Sequence, residues 1–135
     1  RGDAGLFFAS THQSPAYPGT ARRREVGANL VNVPLPPGAG GAELRAAWQQ
    51  DVLPALAAFD PQLILISAGF DGHARDPLAG WELDAADFAW VTAAICEVAA
   101  VSARGNVVSV LEGGYDLRAL AASAAAHVGA LCDAA

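Results

Sequence analysis

LILISAGFDGHARDPL, residues 63–78, joins an unbroken apolar run to a loop with two carboxylates, a histidine and an arginine. The run Leu63–Ser67 lacks the strict alternation of apolar and polar residues that a half-buried strand shows. It therefore predicts a strand covered on both faces, which is typical of a parallel sheet. The polar residues that follow would lie at the carboxyl end of that strand.

Three further runs predict strands: Gly5–Ser10, Leu30–Val33 and Asn106–Leu111. The last of these is also nearly continuous in apolarity, so it too is predicted to be covered on both faces. Strands that alternate with helices favour an α/β fold with right-handed crossovers. Residues 1–135 contain neither a linker pattern nor an internal repeat, so we predict one layered domain. Ligands of such folds bind beyond the carboxyl ends of the strands, which makes three segments candidates: Thr11–Thr20, Ala68–Gly80 and Glu112–Asp116.

Three helical stripes accompany these strands. The first recurs every four residues, at Leu44, Trp48, Val52 and Leu56. Pro54 should kink or restart that helix. Asp84 is the predicted N-cap of the second stripe, which comprises Phe88, Val91, Ile95 and Val98. Asp116 is the predicted N-cap of the third, which comprises Leu117, Leu120, Ala124, Val128 and Leu131.

The composition is that of a globular domain, with 53% hydrophobic and 16% charged residues. The formal net charge of −6, with no lysine, disfavours direct binding to nucleic acid, which needs a basic face. No apolar run reaches the roughly 20 residues of a membrane span. Cys96 and Cys132 lie in apolar stretches, so we expect two buried free thiols in a cytoplasmic protein. The absence of methionine indicates a piece of a longer chain.

The loop after Ser67 contains the residue types of a metal site. Asp71, His73 and Asp76 fall within six positions, and carboxylate oxygen and imidazole nitrogen both bind zinc. A structural interpretation competes with this one. In it, Asp71 accepts hydrogen bonds from backbone amides and Asp76 sets up a turn at Pro77. Residue types alone favour the structural interpretation.

The segment Glu112–Leu117 again joins a strand to a helix. Gly113 and Gly114 would let the backbone turn sharply and approach a ligand closely. They would leave Tyr115 at the mouth of the sheet, where its hydroxyl could stabilise an oxyanion by about 3–4 kcal/mol. The alternative is a strand-to-helix turn with a half-buried Tyr115, and both interpretations stay open.

Glycine and proline residues predict a loop over Ser10–Thr20. His12 could be a catalytic base or a metal ligand, although a hydrogen-bonded structural histidine is the commoner case. Tyr17, held by Pro18, could form an aromatic wall. The cluster Arg22-Arg23-Arg24 follows this loop, and we expect it to be solvated rather than to bind an acidic partner.

Taken in order, these segments resemble the histone deacetylase and acetylpolyamine amidohydrolase superfamily. The matching motifs are STHQSPAYPGT at residues 10–20, NVPL at 32–35, SAGFDGHARDPL at 67–78 and LEGGYDL at 111–117. Their spelling is more similar to the class II and bacterial acetylpolyamine branch than to class I. The resemblance covers the whole chain. It implies the parallel-sheet, three-layer arginase/deacetylase-like fold and a zinc-dependent enzyme that hydrolyses N-acetyl amides.

The resemblance also implies roles for individual residues. Asp76 would be the second zinc-binding aspartate, and Tyr115 the tyrosine that polarises the acetyl carbonyl. The tunnel for an acetylated lysine or polyamine would be lined by Tyr17, Gly113 and Gly114. Supporting roles would fall to Asp71, His73 and His12. A structural potassium ion, K⁺, would be held near Ser10 and Thr11.

Part of the site is expected to lie elsewhere. The family's first two zinc ligands belong to an upstream Asp-x-His motif, and its paired catalytic histidines lie further upstream still. We therefore expect an incomplete fold with a gap in the sheet beside Gly5–Ser10. The upstream half of the domain would be the partner that completes it, and the isolated fragment would be inactive. A homo-oligomer is left open.

Two other functions compete with this assignment. A nucleotide-binding module could use Gly38-Ala39-Gly40-Gly41 before a helix. Glu43, however, occupies the third glycine position of GxGxxG, and the chain has no P-loop lysine. A non-catalytic deacetylase-fold interaction module would keep the fold without the chemistry. The deacetylase hypothesis makes one geometric demand, which is that the carboxylate of Asp76 and the phenol of Tyr115 converge on one metal ion at the edge of the sheet.

Overall fold

The computed structural model describes residues 3–16, 19 and 23–135, which form strands and helices in alternation. The strands are β1 (Phe8–Gln13), β2 (Glu25–Val26), β3 (Leu30–Leu35), β4 (Ile64–Ala68) and β5 (Val107–Leu111). The helices are α1 (Gly41–Ala47), α2 (Leu53–Phe59), α3 (Ala85–Ser102) and α4 (Leu117–Asp133). A π-helical segment, Trp48–Val52, joins α1 to α2. The predicted α/β class is confirmed.

The strands form two parallel pairs in separate sheets. β1 pairs with β3 from Phe8 and Leu30 onwards, and the short β2 adds an antiparallel edge to β3. β4 pairs with β5 from Ile64 and Val107 onwards. The strand orders are therefore β1-β3-β2 and β4-β5, and no ladder joins β1 to β4 within the described ranges. This is the gap in the sheet that was expected beside β1.

β1 lies three residues further along the chain than the predicted Gly5–Ser10. The prediction followed the apolar run, whereas backbone pairing with β3 continues to Gln13 opposite Leu35. The prediction of a loop starting at Ser10 was therefore wrong. β3 tolerates Pro34 because β2 pairs only with the two residues Val31 and Asn32, so no ladder needs an N–H group from the proline on that side.

The first helical stripe lies on a rod that changes helix type in its middle. An α-helix has 3.6 residues per turn, so a strict spacing of four drifts around it, and a wider π-turn corrects that drift. Trp48 packs against all three buried apolar clusters of the described chain. Pro54, which lacks an N–H group, lies in the first turn of α2 directly after the π-helical segment. The predicted restart at Pro54 is confirmed.

α3 begins at its predicted cap. The Asp84 carboxylate accepts hydrogen bonds from the N–H groups of Ala86 at 2.8 Å and Asp87 at 3.1 Å. Length and apolar composition alone would let α3 cross a membrane. Ile95 and Ala99, however, are buried against β4 and α2, and the core helix of a globular domain meets the same criterion.

α4 also begins at its predicted cap, since the Asp116 carboxylate accepts from the N–H group of Ala119 at 2.8 Å. Its buried face differs from the predicted apolar stripe. Leu117 and Val128 of that stripe are 80% and 53% exposed. The buried residues are instead Ala119, Ser123 and His127. Small side chains at a spacing of four let α4 pack closely on α3, and this packing overrides the apolar pattern.

β4 and β5 are covered on one face only. Ile64 is buried in the core with Ile95 and Ala99 of α3. Leu65 and Val110, on the opposite face, are 70% and 57% exposed. The prediction that these strands are covered on both faces was wrong for the described residues, because their helices lie on a single side.

Both cysteines are free thiols, as predicted, but only Cys96 is buried. Burial raises the pKa of the Cys96 thiol, which lowers its reactivity. Cys132 is exposed near the end of α4, so the prediction that both thiols are buried was wrong. The error has the same origin as the mistaken stripe on α4.

Candidate active site

The loop between β4 and α3, residues 69–83, forms hydrogen bonds with residues at or just after the carboxyl ends of β1, β3 and β5. Gln13, at the end of β1, accepts the N–H group of Gly80 through Oε1 at 2.7 Å. Gly38, after β3, donates its N–H group to the carbonyl of Gly80 at 2.6 Å. Gly113, after β5, accepts the N–H group of Phe70 at 2.8 Å. The strand ends therefore meet where ligands of an α/β fold bind.

Asp76 ties this loop to the segment Glu112–Asp116. Its Oδ1 accepts the N–H groups of Leu78 at 2.9 Å and Ala79 at 3.3 Å, which forms the turn predicted at Pro77. Its Oδ2 accepts the N–H group of Tyr115 at 2.8 Å. One half-buried carboxylate thus holds two loops together. Positions 76 and 115 are therefore adjacent through the backbone of Tyr115. The convergence of the Asp76 carboxylate and the Tyr115 phenol on one metal ion stays a prediction.

Tyr115 lies on the exposed side of a short turn between β5 and α4. Gly114 has a φ of +131°, a conformation that side-chain-bearing residues rarely adopt. Gly113 has a different constraint, because an added Cβ would lie 3.0 Å from the Asp71 carboxyl carbon. The predicted sharp turn is present at Gly114, and it leaves Tyr115 exposed to solvent. Close approach of the glycine backbone to a ligand stays a prediction.

Asp71 and His73 organise the loop after β4. The Asp71 carboxylate packs against the backbone of Gly69 and Gly113. The Nδ1 atom of His73 accepts the N–H group of Arg75 at 3.1 Å. These contacts agree with supporting positions in the loop.

The residues proposed from the first motif lie mostly on β1. The hydroxyl of Ser10 is 3.1 Å from Nδ1 of His12. The hydroxyl of Thr11 accepts the indole N–H group of Trp48 at 3.2 Å, so it faces the helical rod. Tyr17 lies outside the described residues. The roles of His12, Ser10, Thr11 and Tyr17 stay predictions.

A weak ion pair borders the site. Arg75 approaches the Asp116 carboxylate at 3.5 Å, and both side chains are accessible to water, so the pair contributes little to stability. The hydrogen bond from Ala119, and after it the charge of Arg75, hold the pKa of Asp116 below its ordinary value of 3.8. Asp116 therefore stays ionised as the cap of α4.

Residues 1–131 match the histone deacetylase domain. The chain belongs to the histone deacetylase family. It is 44% identical over 128 residues to the chloroplastic histone deacetylase 10 of Oryza sativa subsp. japonica, which covers 91% of this chain and 29% of that protein. It is 41% identical over 116 residues to a histone deacetylase-like amidohydrolase of Pseudomonas aeruginosa, covering 82% and 30% respectively.

A solved structure has the same deacetylase fold. The crystal structure of the HDA15 HD domain superposes with a TM-score of 0.83 at 34% identity, covering 95% of this chain and 38% of that one. The chain thus spans about a third of the length of the deacetylases that it matches. The predicted resemblance and the incomplete deacetylase fold are both confirmed.

The resemblance predicts Asp76 as a zinc ligand. Catalytic zinc requires three protein ligands, and the described part of the chain contains no cluster of three or more His, Cys, Asp or Glu side chains. The Asp76 carboxylate is held by three backbone N–H groups, as metal-binding carboxylates commonly are. Asp71-Gly72-His73 has the spelling Asp-x-His, but its side chains make the loop contacts described above. The chain therefore fits zinc as one part of a larger ligand set.

Two contacts in and beside the candidate site were missed in the sequence. Gln13 joins β1 to Gly80 across 67 positions, and a lone glutamine after a histidine carries no signal of such a contact. His127 lies buried between the hydroxyls of Thr92 and Ser109. The apolar stripe predicted on α4 pointed to other residues. Neither contact could have been located from the predicted helix caps and strands.

Proposed function

We propose that the full-length protein containing this chain hydrolyses N-acetyl amides with the help of a zinc ion. Family membership supports the amidohydrolase class, and the contacts of Asp76 support its role as a metal ligand. The carrying observation is that one carboxylate fixes its own turn through Oδ1 and the backbone of Tyr115 through Oδ2. The proposed metal ligand and the backbone of the proposed hydroxyl donor are thereby joined by a hydrogen bond.

Each residue of the candidate site has a separate role in this proposal. Zinc, when bound, polarises the acetyl carbonyl and lowers the pKa of a water molecule. Asp76 is one ligand, and the remaining ligands and the histidines that move protons belong to sequence outside this chain. The hydroxyl of Tyr115 donates a hydrogen bond to the carbonyl oxygen as negative charge develops on it. The backbone of Gly113 and Gly114 borders the acetyl group.

The proposed substrates are an acetylated lysine and an acetylated polyamine. Both present a narrow alkyl stem that ends in an N-acetyl group, which suits a tunnel lined by glycine backbone and an aromatic ring. The spelling of Ala68–Asp71 supports a place in the class II branch. A structural potassium ion near Ser10 and Thr11 is the least supported part, because the hydroxyl of Thr11 already accepts the Trp48 indole.

Replacing Asp76 in the full-length protein tests the metal site. Asp76→Asn keeps the shape of the side chain and removes its charge, so we expect the purified protein to lose most of its zinc. Metal content per folded molecule is measured by elemental analysis. Asp60→Asn is the matched control, since Asp60 ends α2 in a left-handed conformation that asparagine also adopts. Stoichiometric zinc in Asp76→Asn would contradict ligation.

Replacing Tyr115 tests the chemistry separately. Tyr115→Phe removes only the hydroxyl, so we expect zinc to stay bound while kcat falls by about 10²–10³-fold, as for loss of one oxyanion donor. Turnover of an N-acetyl-lysine peptide and of an acetylpolyamine measures the effect and separates the two substrate classes. Unchanged turnover on both substrates would refute the role of the phenol.

The competing function is a non-catalytic module of the deacetylase fold. It is favoured by the absence of a three-residue metal cluster in the part of the chain that the structure describes. A full-length protein that binds no zinc and turns over neither substrate would support it.

A further inference from the structure

A buried polar cluster joins α3, α4 and β5, and the proposed chemistry does not use it. His127 of α4 is 6% exposed. Its Nδ1 atom lies 2.6 Å from the hydroxyl oxygen of Thr92 on α3. Its Nε2 atom lies 2.8 Å from the hydroxyl oxygen of Ser109 on β5. We call Thr92, Ser109 and His127 the His127 cluster.

The hydrogen bonds of the His127 cluster have a defined direction. Thr92 donates its single hydroxyl hydrogen to the carbonyl of Phe88 at 2.7 Å. Its oxygen can therefore only accept, which assigns the proton of the ring to Nδ1. A neutral ring then accepts at Nε2, so Ser109 must donate to it. Burial lowers the pKa of His127, which keeps the ring in this neutral form.

The His127 cluster reaches both loops of the candidate site through Phe70. The rings of His127 and Phe70 lie 5.7 Å apart, edge to face. The N–H group of Phe70 donates to the carbonyl of Gly113. A Cβ added to Gly114 would lie 3.1 Å from Cβ of Phe70, so the base of the Phe70 side chain lies against the turn before Tyr115.

The same cluster also fixes the two elements on either side of Tyr115. β5 ends at Leu111 and α4 begins at Leu117, so the residues between them form a short bridge whose ends are set by those elements. Ser109 belongs to β5 and His127 to α4, and the hydrogen bond between them holds one end against the other. Between these two elements, Asp76 contacts Tyr115 through its backbone N–H group alone.

We infer that His127 is a positioning residue that holds the Tyr115 hydroxyl in place by clamping β5 to α4 and supporting Phe70. The inference rests on the proposed function, in which that hydroxyl stabilises the oxyanion. His127 itself touches neither substrate nor metal. Without the hydrogen bond between Ser109 and His127, the turn between β5 and α4 can shift. The phenol of Tyr115 then moves, while the Asp76 carboxylate keeps its position.

Removing the donor on β5 tests this inference in the full-length enzyme. Ser109→Ala deletes the hydroxyl that His127 accepts, and kcat is expected to fall roughly tenfold, since a 1 Å misplacement can cost about 10²-fold. KM, zinc content and the folded fraction are expected to stay at their original values. Ser109→Thr restores a hydroxyl at the same site and is expected to restore kcat.

The matched control is Ser102→Ala. Ser102 is also half-buried, and its hydroxyl donates to the carbonyl of Val98 at 2.9 Å, on the far end of α3. Ser102→Ala therefore removes one hydroxyl hydrogen bond that has no contact with the turn before Tyr115. A purely structural role for Ser109 predicts that both alanine variants change stability alone and leave kcat per folded molecule equal.

A double variant identifies the group on which the clamp acts. In a Tyr115→Phe background the hydroxyl is already gone, so adding Ser109→Ala is expected to lower kcat no further. A tenfold loss in both backgrounds would overturn the inference, as would equal kcat values for Ser109→Ala and Ser102→Ala. If Ser109→Ala does not fold, Thr92→Val removes the other hydrogen bond of the His127 ring with little change in side-chain shape. The same comparisons of kcat then test the inference. Full turnover in Tyr115→Phe alone would instead refute the proposed function.

Discussion

Gly114 shows how much the site depends on one backbone position. Its φ of +131° turns the chain between β5 and α4. An added Cβ would also lie 3.1 Å from Leu120 and 3.1 Å from Phe70, so the side chains on both sides of the turn would have to move by a few tenths of an ångström. Strain and crowding therefore act together at this residue.

Gly114→Ala in the full-length protein is expected to lower the free energy of unfolding by about 1–3 kcal/mol, the usual cost of a sparsely allowed conformation. Denaturant titration measures the change. Gly129→Ala is the control, because Gly129 lies within α4 with no atom near its added Cβ. There the substitution is expected to raise stability by about 0.5–1 kcal/mol. A Gly114 variant as stable as the Gly129 variant would contradict this account.

At the scale of residues, the sequence predicts which side chains meet only when strand ends place them. Asp76 and Tyr115 both follow strands of a parallel pair, so their closeness could be predicted. Contacts that depend on how helices pack could not. The partners of His127 lie 35 and 18 positions away, and no local pattern indicates either of them.

At the scale of elements, the junction of α3, α4 and β5 is expected to depend on pH. The pKa of His127 is lowered from its ordinary value of 6.5 because burial disfavours the charged ring. The unfolded chain therefore binds the proton more readily than the folded one. The contribution of neutral His127 to the free energy of unfolding is then fully present above pH 6.5. It is lost progressively as the pH falls from there towards the lower pKa of the folded state.

Comparing the full-length protein with its His127→Gln variant checks this expectation. The variant cannot titrate at this position, so its free energy of unfolding should fall less steeply below the ordinary histidine value. Other histidines and any bound metal contribute equally to both proteins and cancel in the difference. Identical slopes would show that protonation of His127 does not weaken the junction.

The ends of elements were more predictable than their faces. Asp84 and Asp116 were predicted as caps because capping involves only neighbouring backbone amides. The buried face of α4 was mispredicted because α3, not the apolar pattern of α4, decides it. The end of β1 was mispredicted for a similar reason, since pairing with β3 carries the strand through polar residues to Gln13.

At the scale of the molecule, zinc binding is expected to require more than these 135 residues. Asp76 supplies one ligand, and tight binding needs about three. The isolated chain should therefore bind zinc weakly in a titration, whereas the full-length protein should bind one ion tightly. Stoichiometric binding by the isolated chain that Asp76→Asn abolishes would contradict this division of the site.

The two sheets have a consequence for how the chain holds together. The ladder of β1 and β3 and that of β4 and β5 are separate in the described structure, so either can open while the other keeps its backbone hydrogen bonds. Cooperativity between them must pass through the hydrogen bonds of the loop after β4 and through side-chain packing. Trp48, which borders all three apolar clusters, is one residue through which that packing couples them.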